Sequence, residues 1–384
     1  MNPAIIIVAY NRPKNLKRLL HYIRLARYNH PSIPLIISID FQNSVDHESV
    51  VKIAQEFTWD FGEKKLIIHS RNLGLKNHIL SCGDLSKRYG SVIILEDDLI
   101  VSPHFYDFAH RCSNFYYDNV NVAGISLYAY EYEEINNYKF YPINEGYDTF
   151  FMQWASSWGQ LFTDQQWLRF KEWYNSKYDL SNIKIHNTVK RWTNSWKKYY
   201  SAYLVDTNKY FVFPYSSYTS IIDQKGTHLK KESRSNQVKL NFHTSYHEDI
   251  NFSFPEIDKV KFKYDSFFQI TSRELYIKSL NKNLIVDFDL YGTKHPSCYA
   301  SEYLITLINS KNILSKFSNS LIPLEYNILK NEQGLHYNLT HKSDICNSTT
   351  ILYRGRKLYH SRKIYSVKEM IYIVLYRIYN SLLN

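Results

Sequence analysis

In the stretch SVIILEDDLIVSPHF, residues 91–105, a run of aliphatic side chains ends in three consecutive carboxylates, Glu96, Asp97 and Asp98. Like charges this close repel one another unless a cation or a ligand receives them. Three chemistries suit them. Oxygen ligands of this kind hold Mg2+ or Mn2+, commonly shared with the phosphates of a substrate. A carboxyl group with a raised pKa beside an ionised neighbour can transfer protons. A helix starting just downstream would use the charge at its N-terminus. The triplet alone does not choose among them.

Its company narrows the choice. Tyr10-Asn11-Arg12 follows one aliphatic run, Asp40 closes a second, and Arg71-Asn72-Leu73-Gly74 follows a third. An acid at a strand end can accept hydrogen bonds from a nucleobase or ribose. A basic residue in a glycine-containing turn can approach a diphosphate. A divalent ion at the triplet would neutralise that diphosphate as it departs. Together these parts would activate a nucleotide-linked group for transfer.

The elements that must position them alternate regularly. Short apolar runs at Ala4–Tyr10, Leu35–Asp40, Leu66–His69 and Val92–Leu95 predict strands. Between them, helices are expected over Pro13–Arg27 (Leu16, Leu19, Leu20 and Ile23 at helical spacing), about Asp46–Thr58 and Leu75–Tyr89. A further helix should follow with Pro103 in its first turn. This alternation defines an α/β sandwich with a largely parallel central sheet, whose ligands collect at the carboxyl ends of the strands. The tyrosine-rich stretch between 126 and 150 is expected to loop over that rim. Thr163 or Asp164 should cap the helix that follows WASSWGQLF. The pattern weakens after 230, giving a domain over 1–234 and a less regular region over 235–384 that ends in an amphipathic helix at about 366–383. There is no GxxxxGK[ST] or GxGxxG motif and no internal repeat.

Composition sets outer bounds. The 384 residues carry a net charge of +11 and include 35 tyrosines and 4 cysteines. The charge suits polyanionic or phosphorylated partners, or a solubilising surface. Cys82, Cys112, Cys298 and Cys346 form no CxxC pair, which argues against a zinc site and a disulfide framework. The apolar start resembles a buried strand more than a signal peptide, and no apolar stretch is long enough to span a bilayer. A cytoplasmic location is expected, peripheral to the inner face of the membrane if the C-terminal helix binds lipid.

Four stretches, IIIVAYNRPKNLKRLL, IIHSRNLGLKNHI, SVIILEDDLIVSPHFYDF and WASSWGQLFTDQQW, with FVFPYSSYTSIIDQKGTHLK after them, resemble the nucleotide-sugar glycosyltransferases of the GT-A (Rossmann-like) fold. The likeness extends to bacterial polysaccharide-cluster transferases and to the eukaryotic N-acetylglucosaminyltransferase that starts hybrid N-glycan branching, and it covers about residues 3–230. It implies that Val8, Ala9, Tyr10, Arg12 and Asp40 bind the nucleoside, and that Arg71, Asn72, Gly74 and Lys76 lie near the ribose and diphosphate. It implies Asp98 as main metal ligand, Asp97 at ribose or metal, Glu96 in support, and His228 as an additional ligand of Mn2+ or Mg2+. Trp154, Ser156, Ser157, Trp158 and Gly159 would shape the sugar pocket. One departure stands out. Relatives carry an Asp as general base in a Trp-Asp-x-x-Trp-like helix, whereas VKRWTNSWKKYYSAYLVDTNKYF offers no acid before Asp206, which is the candidate for the catalytic base or else belongs to a helix-to-strand turn.

The resemblance therefore implies a hexosyl- or N-acetylhexosaminyl-transferase of capsule or O-antigen synthesis, inverting, acting on a glycan or lipid-linked acceptor and binding no nucleic acid. Arg354, Arg356, Lys357, Arg362 and Lys363 precede a helix with Val367, Met370, Ile371, Val374, Ile378 and Leu382 along one face, a pattern that can lie on an anionic membrane. Competing readings are a nucleotidyltransferase, disfavoured because VAYNRPKNL lacks glycine, a polyanion binder, and a transferase-like protein that binds donor without turnover.

Overall fold

A computed structural model describes residues 2–176, 179–222, 236–242, 251–346 and 366–382. The chain divides into two units, the first comprising 1–129, 144–183 and 189–261 and the second 130–143, 184–188 and 262–384.

The chain begins with β1 (Ala4–Ala9), α1 (Pro13–Leu25), β2 (Leu35–Ile39), α2 (Val45–Glu56), β3 (Lys64–Ile68), α3 (Gly74–Asp84) and α4 (Ser86–Tyr89). Then come β4 (Ser91–Glu96), β5 (Leu99–Val101), α5 (Phe105–Phe115), β6 (Val122–Ser126), β7 (Thr149–Met152) and β8 (Gln160–Thr163). They are followed by α6 (Asp164–Ser176), α7 (Asn187–Lys190), α8 (Trp196–Asp206), β9 (Tyr210–Pro214) and β10 (Thr219–Ile221). The main sheet of the first unit runs β7-β9-β6-β8-β4-β1-β2-β3. Strands β4, β1, β2 and β3 are mutually parallel, and β6 parallels β9. Strand β8 is antiparallel between β4 and β6, and β7 is antiparallel to β9. The sheet is thus parallel in one half and mixed in the other.

The aliphatic runs account for the parallel half. Every residue of β1 and β2 is buried, as are Ser91–Leu95 of β4, because helices cover both faces of these strands. Helix α1 buries Leu16, Leu19, Leu20 and Ile23 at the expected spacing. From β1 the chain builds outward through β2 and β3, then returns to place β4 on the other side of β1. Such a reversal opens a crevice at the carboxyl ends of the two central strands, where α/β sheets bind ligands.

Some boundaries differ from expectation. The helix over 75–89 is interrupted between Asp84 and Ser86. Pro103 lies before α5 rather than in its first turn, with His104 at the N-cap. Thr163 caps α6: its hydroxyl accepts the Gln166 N–H at 3.2 Å, while Gln166 Oε1 accepts the Thr163 N–H at 3.1 Å.

The first unit extends to 261, beyond the expected boundary at 234, because Ile257 is part of its core and Phe252, Phe254 and Val260 pack against it. The second unit is more regular than expected. It contains β11 (Lys263–Tyr264), β12 (Arg273–Ile277), β13 (Lys282–Asp289), β14 (Tyr303–Thr306), β15 (Ser315–Phe317), α9 (Glu325–Leu329) and β16 (Tyr337–His341). Five of these strands form a sheet in the order β12-β13-β14-β16-β15. The tyrosine-rich segment 130–143 belongs to this unit and is not a free rim loop: Tyr138 stacks on Tyr291 at 4.2 Å, and Phe140 meets Tyr264 edge-on at 5.1 Å. The last helix, Val367–Leu382, inverts the usual arrangement. Tyr376 is buried, whereas Val367, Met370, Ile371, Val374, Leu375, Ile378 and Leu382 are exposed.

Candidate functional site

The carboxyl ends of β1 and β4 lie side by side, and the residues that follow each strand share that rim. Val8 is in register with Glu96, and its carbonyl accepts the Asp97 N–H at 3.1 Å. This places Tyr10-Asn11-Arg12 beside the acidic triplet. Pro13 fixes the start of α1, leaving Arg12 as its N-cap residue. The Arg12 guanidinium folds back onto the acids. Its Nη1 donates to Asp98 Oδ2 at 2.9 Å, and its Nη2 pairs with Asp97. Asp97 is buried. Both Asp97 oxygens and Asp98 Oδ1 are shielded from water, and Asp97 is held by Arg12 and the Tyr10 backbone.

Burial dominates the electrostatics. It pushes Asp97 up to about 7, against the pull of Arg12. Burial and then the Asp98 charge push Glu96 up to about 8. For Arg12, burial opposes the charge, but Asp97 and Asp98 outweigh it and raise the pKa. Burial and neighbouring charge thus favour the neutral forms of Glu96 and Asp97 relative to free carboxylates.

The adjacent strand ends interlock. Asp40 Oδ1 accepts the N–H groups of Phe41 and Leu73 at 2.9 and 2.8 Å, and its Oδ2 accepts that of Gly74 at 3.0 Å. One carboxylate thus ties the end of β2 to the turn that starts α3. Gly74 has φ +72, a conformation open to glycine and strained for other residues. Asn72 Nδ2 reaches the Tyr10 hydroxyl at 3.2 Å and the Phe41 carbonyl at 2.9 Å, closing the link back to β1. The side chains of Val8 and Ala9 are buried, and the Ala9 carbonyl accepts the Asp40 N–H at 3.0 Å, so both residues frame the crevice. Arg71 is exposed, and the Lys76 ammonium lies 5.7 Å from the Tyr199 ring centre.

Strand β8 brings the tryptophan segment to the same rim. Gln160 pairs with Ile94 near the end of β4, so residues immediately before it stand beside the triplet. Gly159 sits at φ +94, and a Cβ there would come within 2.7 Å of Thr219 Cγ2. The Thr219 hydroxyl donates to the Trp158 carbonyl at 2.5 Å. Within this segment the roles divide: Trp154 and Ser156 are fully buried, while Ser157 and Trp158 keep part of their surface.

A residue that the sequence did not single out completes the wall. Lys197, near the start of α8, is buried with its ammonium 4.9 Å from the Trp154 ring centre and 5.5 Å from that of Trp158. Its charge also acts on Glu96. A lysine inside the aromatic run SWKKYY was the signal. Asp206, by contrast, stands at the other end of α8, nine residues or roughly 14 Å along the axis from Lys197. It is exposed, accepts the Trp173 indole N–H at 2.8 Å and leads into the amino end of β9. Because β9, β6, β4 and β1 point the same way, Asp206 lies at the rim opposite the triplet. It is not brought into the site. His228 lies outside the described residues.

No family model matches the chain, and no curated protein matches it. Among solved structures it is similar to residues 1–349 of TarS from S. aureus at 12% identity and a TM-score of 0.37, covering 57% of this chain and 60% of that one. It is also similar to the mannosyltransferase PcManGT from Pyrobaculum calidifontis in complex with GDP-Man and Mn2+, at 10% identity and a TM-score of 0.30, covering 43% of this chain and 46% of that one. The chain thus spans less than two thirds of either structure. Likenesses at this level carry no weight for function.

Proposed function

We propose that the chain is a metal-assisted glycosyltransferase that moves a sugar from a nucleoside-diphosphate sugar to a glycan or lipid-linked acceptor in bacterial surface-polysaccharide synthesis. One observation carries this reading. At the reversal of strand order, two adjacent aspartates gather shielded carboxylate oxygens, paired with Arg12, next to a basic loop and a glycine turn. Hard oxygen donors of this kind fit Mg2+ or Mn2+, which are commonly held by one or two carboxylates with substrate phosphates and water completing the shell. No group of three or more His, Cys, Asp or Glu residues is gathered for a metal among the described residues, so the aspartate pair would be the protein's share there.

In this reading Asp98 is the main metal ligand, Asp97 serves ribose or metal, and Glu96 supports them. Tyr10 and Asp40 flank the nucleoside, and Arg71, Asn72 and Lys76 face the diphosphate side. Trp158 and Ser157 offer the accessible wall of the sugar pocket, with Trp154, Ser156 and Gly159 behind them. A bound divalent cation would offset charge on the departing diphosphate. Arg12, Arg71 and Lys76 would supply further positive charge there, the kind of stabilisation that counts for most in a water-poor site. In an inverting displacement the acceptor oxygen bonds to the anomeric carbon as the bond to the diphosphate breaks, and the acceptor proton passes to a base. In this reading Asp206, at the opposite rim, is not that base.

Titration with UDP-, GDP- and CMP-sugars, with and without Mn2+, tests the proposal. Mn2+-dependent binding of one of them is expected. Absence of nucleotide-sugar binding together with tight RNA binding would replace this reading with the polyanion one.

The C-terminal helix supports the lipid-linked side of the reading. Its exposed apolar stripe follows a basic run in the sequence, a pairing suited to anionic membranes. No helix among the described residues is long and apolar enough to cross a membrane. Sedimentation with vesicles rich in phosphatidylglycerol should fall when residues 354–384 are removed; unchanged sedimentation would refute the membrane contact.

A further inference from the structure

The acids that would hold a metal are already engaged by a cation of the chain itself. Arg12 donates to Asp98 Oδ2 at 2.9 Å, and its Nη2 pairs closely with Asp97 Oδ1, so one guanidinium spans both carboxylates. A divalent ion of this class sits about 2.0–2.1 Å from a carboxylate oxygen. It cannot take its full share of Asp97 and Asp98 while a guanidinium occupies the same faces with the same sign of charge. Arg12 has room to leave: its side chain is 30% exposed, it is the N-cap residue of α1, and it makes no side-chain cap of that helix. A guanidinium fork matches phosphate oxygens as well as it matches carboxylates.

We infer that Arg12 is a resident counter-ion that blocks free divalent cations from Asp97 and Asp98, and that a nucleoside diphosphate draws it away so that metal and nucleotide bind as a pair. The inference rests on the two aspartates being the metal ligands of the proposed transferase. It adds a coupling between ligands: each raises the affinity of the protein for the other by the same factor.

The test measures binding rather than turnover. Mn2+ is titrated into the full chain at pH 8 without nucleotide, followed by electron paramagnetic resonance of the free ion, and the titration is repeated with saturating UDP or GDP. The wild type should bind Mn2+ weakly alone and roughly ten-fold or more tightly with nucleotide, within the usual range for coupled sites. Arg12→Gln should bind Mn2+ alone about ten-fold tighter than the wild type and lose most of the coupling. Arg12→Lys, which keeps the charge, should behave like the wild type toward free Mn2+ and so separates charge from any loss of folding. Equal Mn2+ affinity in wild type and Arg12→Gln, with binding abolished by Asp98→Asn, overturns the counter-ion role and leaves the metal site standing. No Mn2+ binding in any form, even with nucleotide, overturns the metal site and the inference together.

Discussion

Asp98→Ala should abolish Mn2+-dependent nucleotide-sugar binding and lower transfer by at least roughly a thousand-fold, the scale expected when charge stabilisation at a leaving group is lost. The fold should survive. Asp98 keeps part of its surface, its backbone carbonyl still accepts the Ile222 N–H at 2.9 Å, and Arg12 retains Asp97 as a partner. The melting temperature should therefore move by only a few degrees. Asp98→Asn should behave alike, because an amide oxygen retains the shape of the ligand without its charge. The measurement is calorimetric titration of the nucleotide sugar bound by the wild type, in Mn2+ and in chelator, beside a radiolabelled transfer assay. Undiminished Mn2+-dependent binding in either variant would remove Asp98 from the metal site.

Trp154→Ala should be the most destabilising single change in the tryptophan segment, costing about 3–5 kcal/mol, as for other buried aromatic truncations. Trp154 is fully buried, and the Lys197 ammonium rests over its ring at 4.9 Å. Removing the ring leaves a cavity and takes from a buried cation one of the two aromatic faces beside it. At roughly 2–4 °C per kcal/mol for a unit of this size, the melting temperature should drop by about 10 °C. Trp158→Ala should separate the other role. Its ring is partly exposed though packed on the core, so the loss of stability should be smaller than for Trp154→Ala, while donor or acceptor binding weakens by about ten-fold through lost stacking. Thermal melts read beside ligand titrations distinguish the two. Equal destabilisation by both, with ligand binding unaffected by Trp158→Ala, would make the segment purely structural.

Much of the parallel half of the first unit was legible in local patterns. IIIVA, LIISI and VIIL announce strands covered on both faces, and each is followed by polar residues that the sheet gathers on one rim. The mixed half was not, because inserting β8 between β4 and β6 depends on pairings that carry no sequence period. The second unit was missed for a related reason. Strands such as RELYI and YNLTH interleave polar and apolar residues over too few positions to set a clear period. The tyrosines of 130–143 read locally as a wet loop, whereas Tyr291 stacks on Tyr138 and Tyr264 meets Phe140, contacts that no local spacing encodes.

At the site, the sequence by itself determined which acids reach the rim, since a buried strand must deliver the residues that follow it. It also determined that a basic loop and a glycine turn share that rim with Glu96, Asp97 and Asp98. Only the tertiary structure decided their partners. Arg12 pairs with Asp97 and Asp98 across 86 residues from the latter, an ion pair that no local spacing encodes. Lys197 and Asp206 lie on one helix, yet its length places the first against the tryptophans of the site and the second at the far rim. Side-chain periodicity is a local property of the backbone, whereas ion pairing and the choice of rim depend on strand order and helix length, which are settled only when the whole core packs.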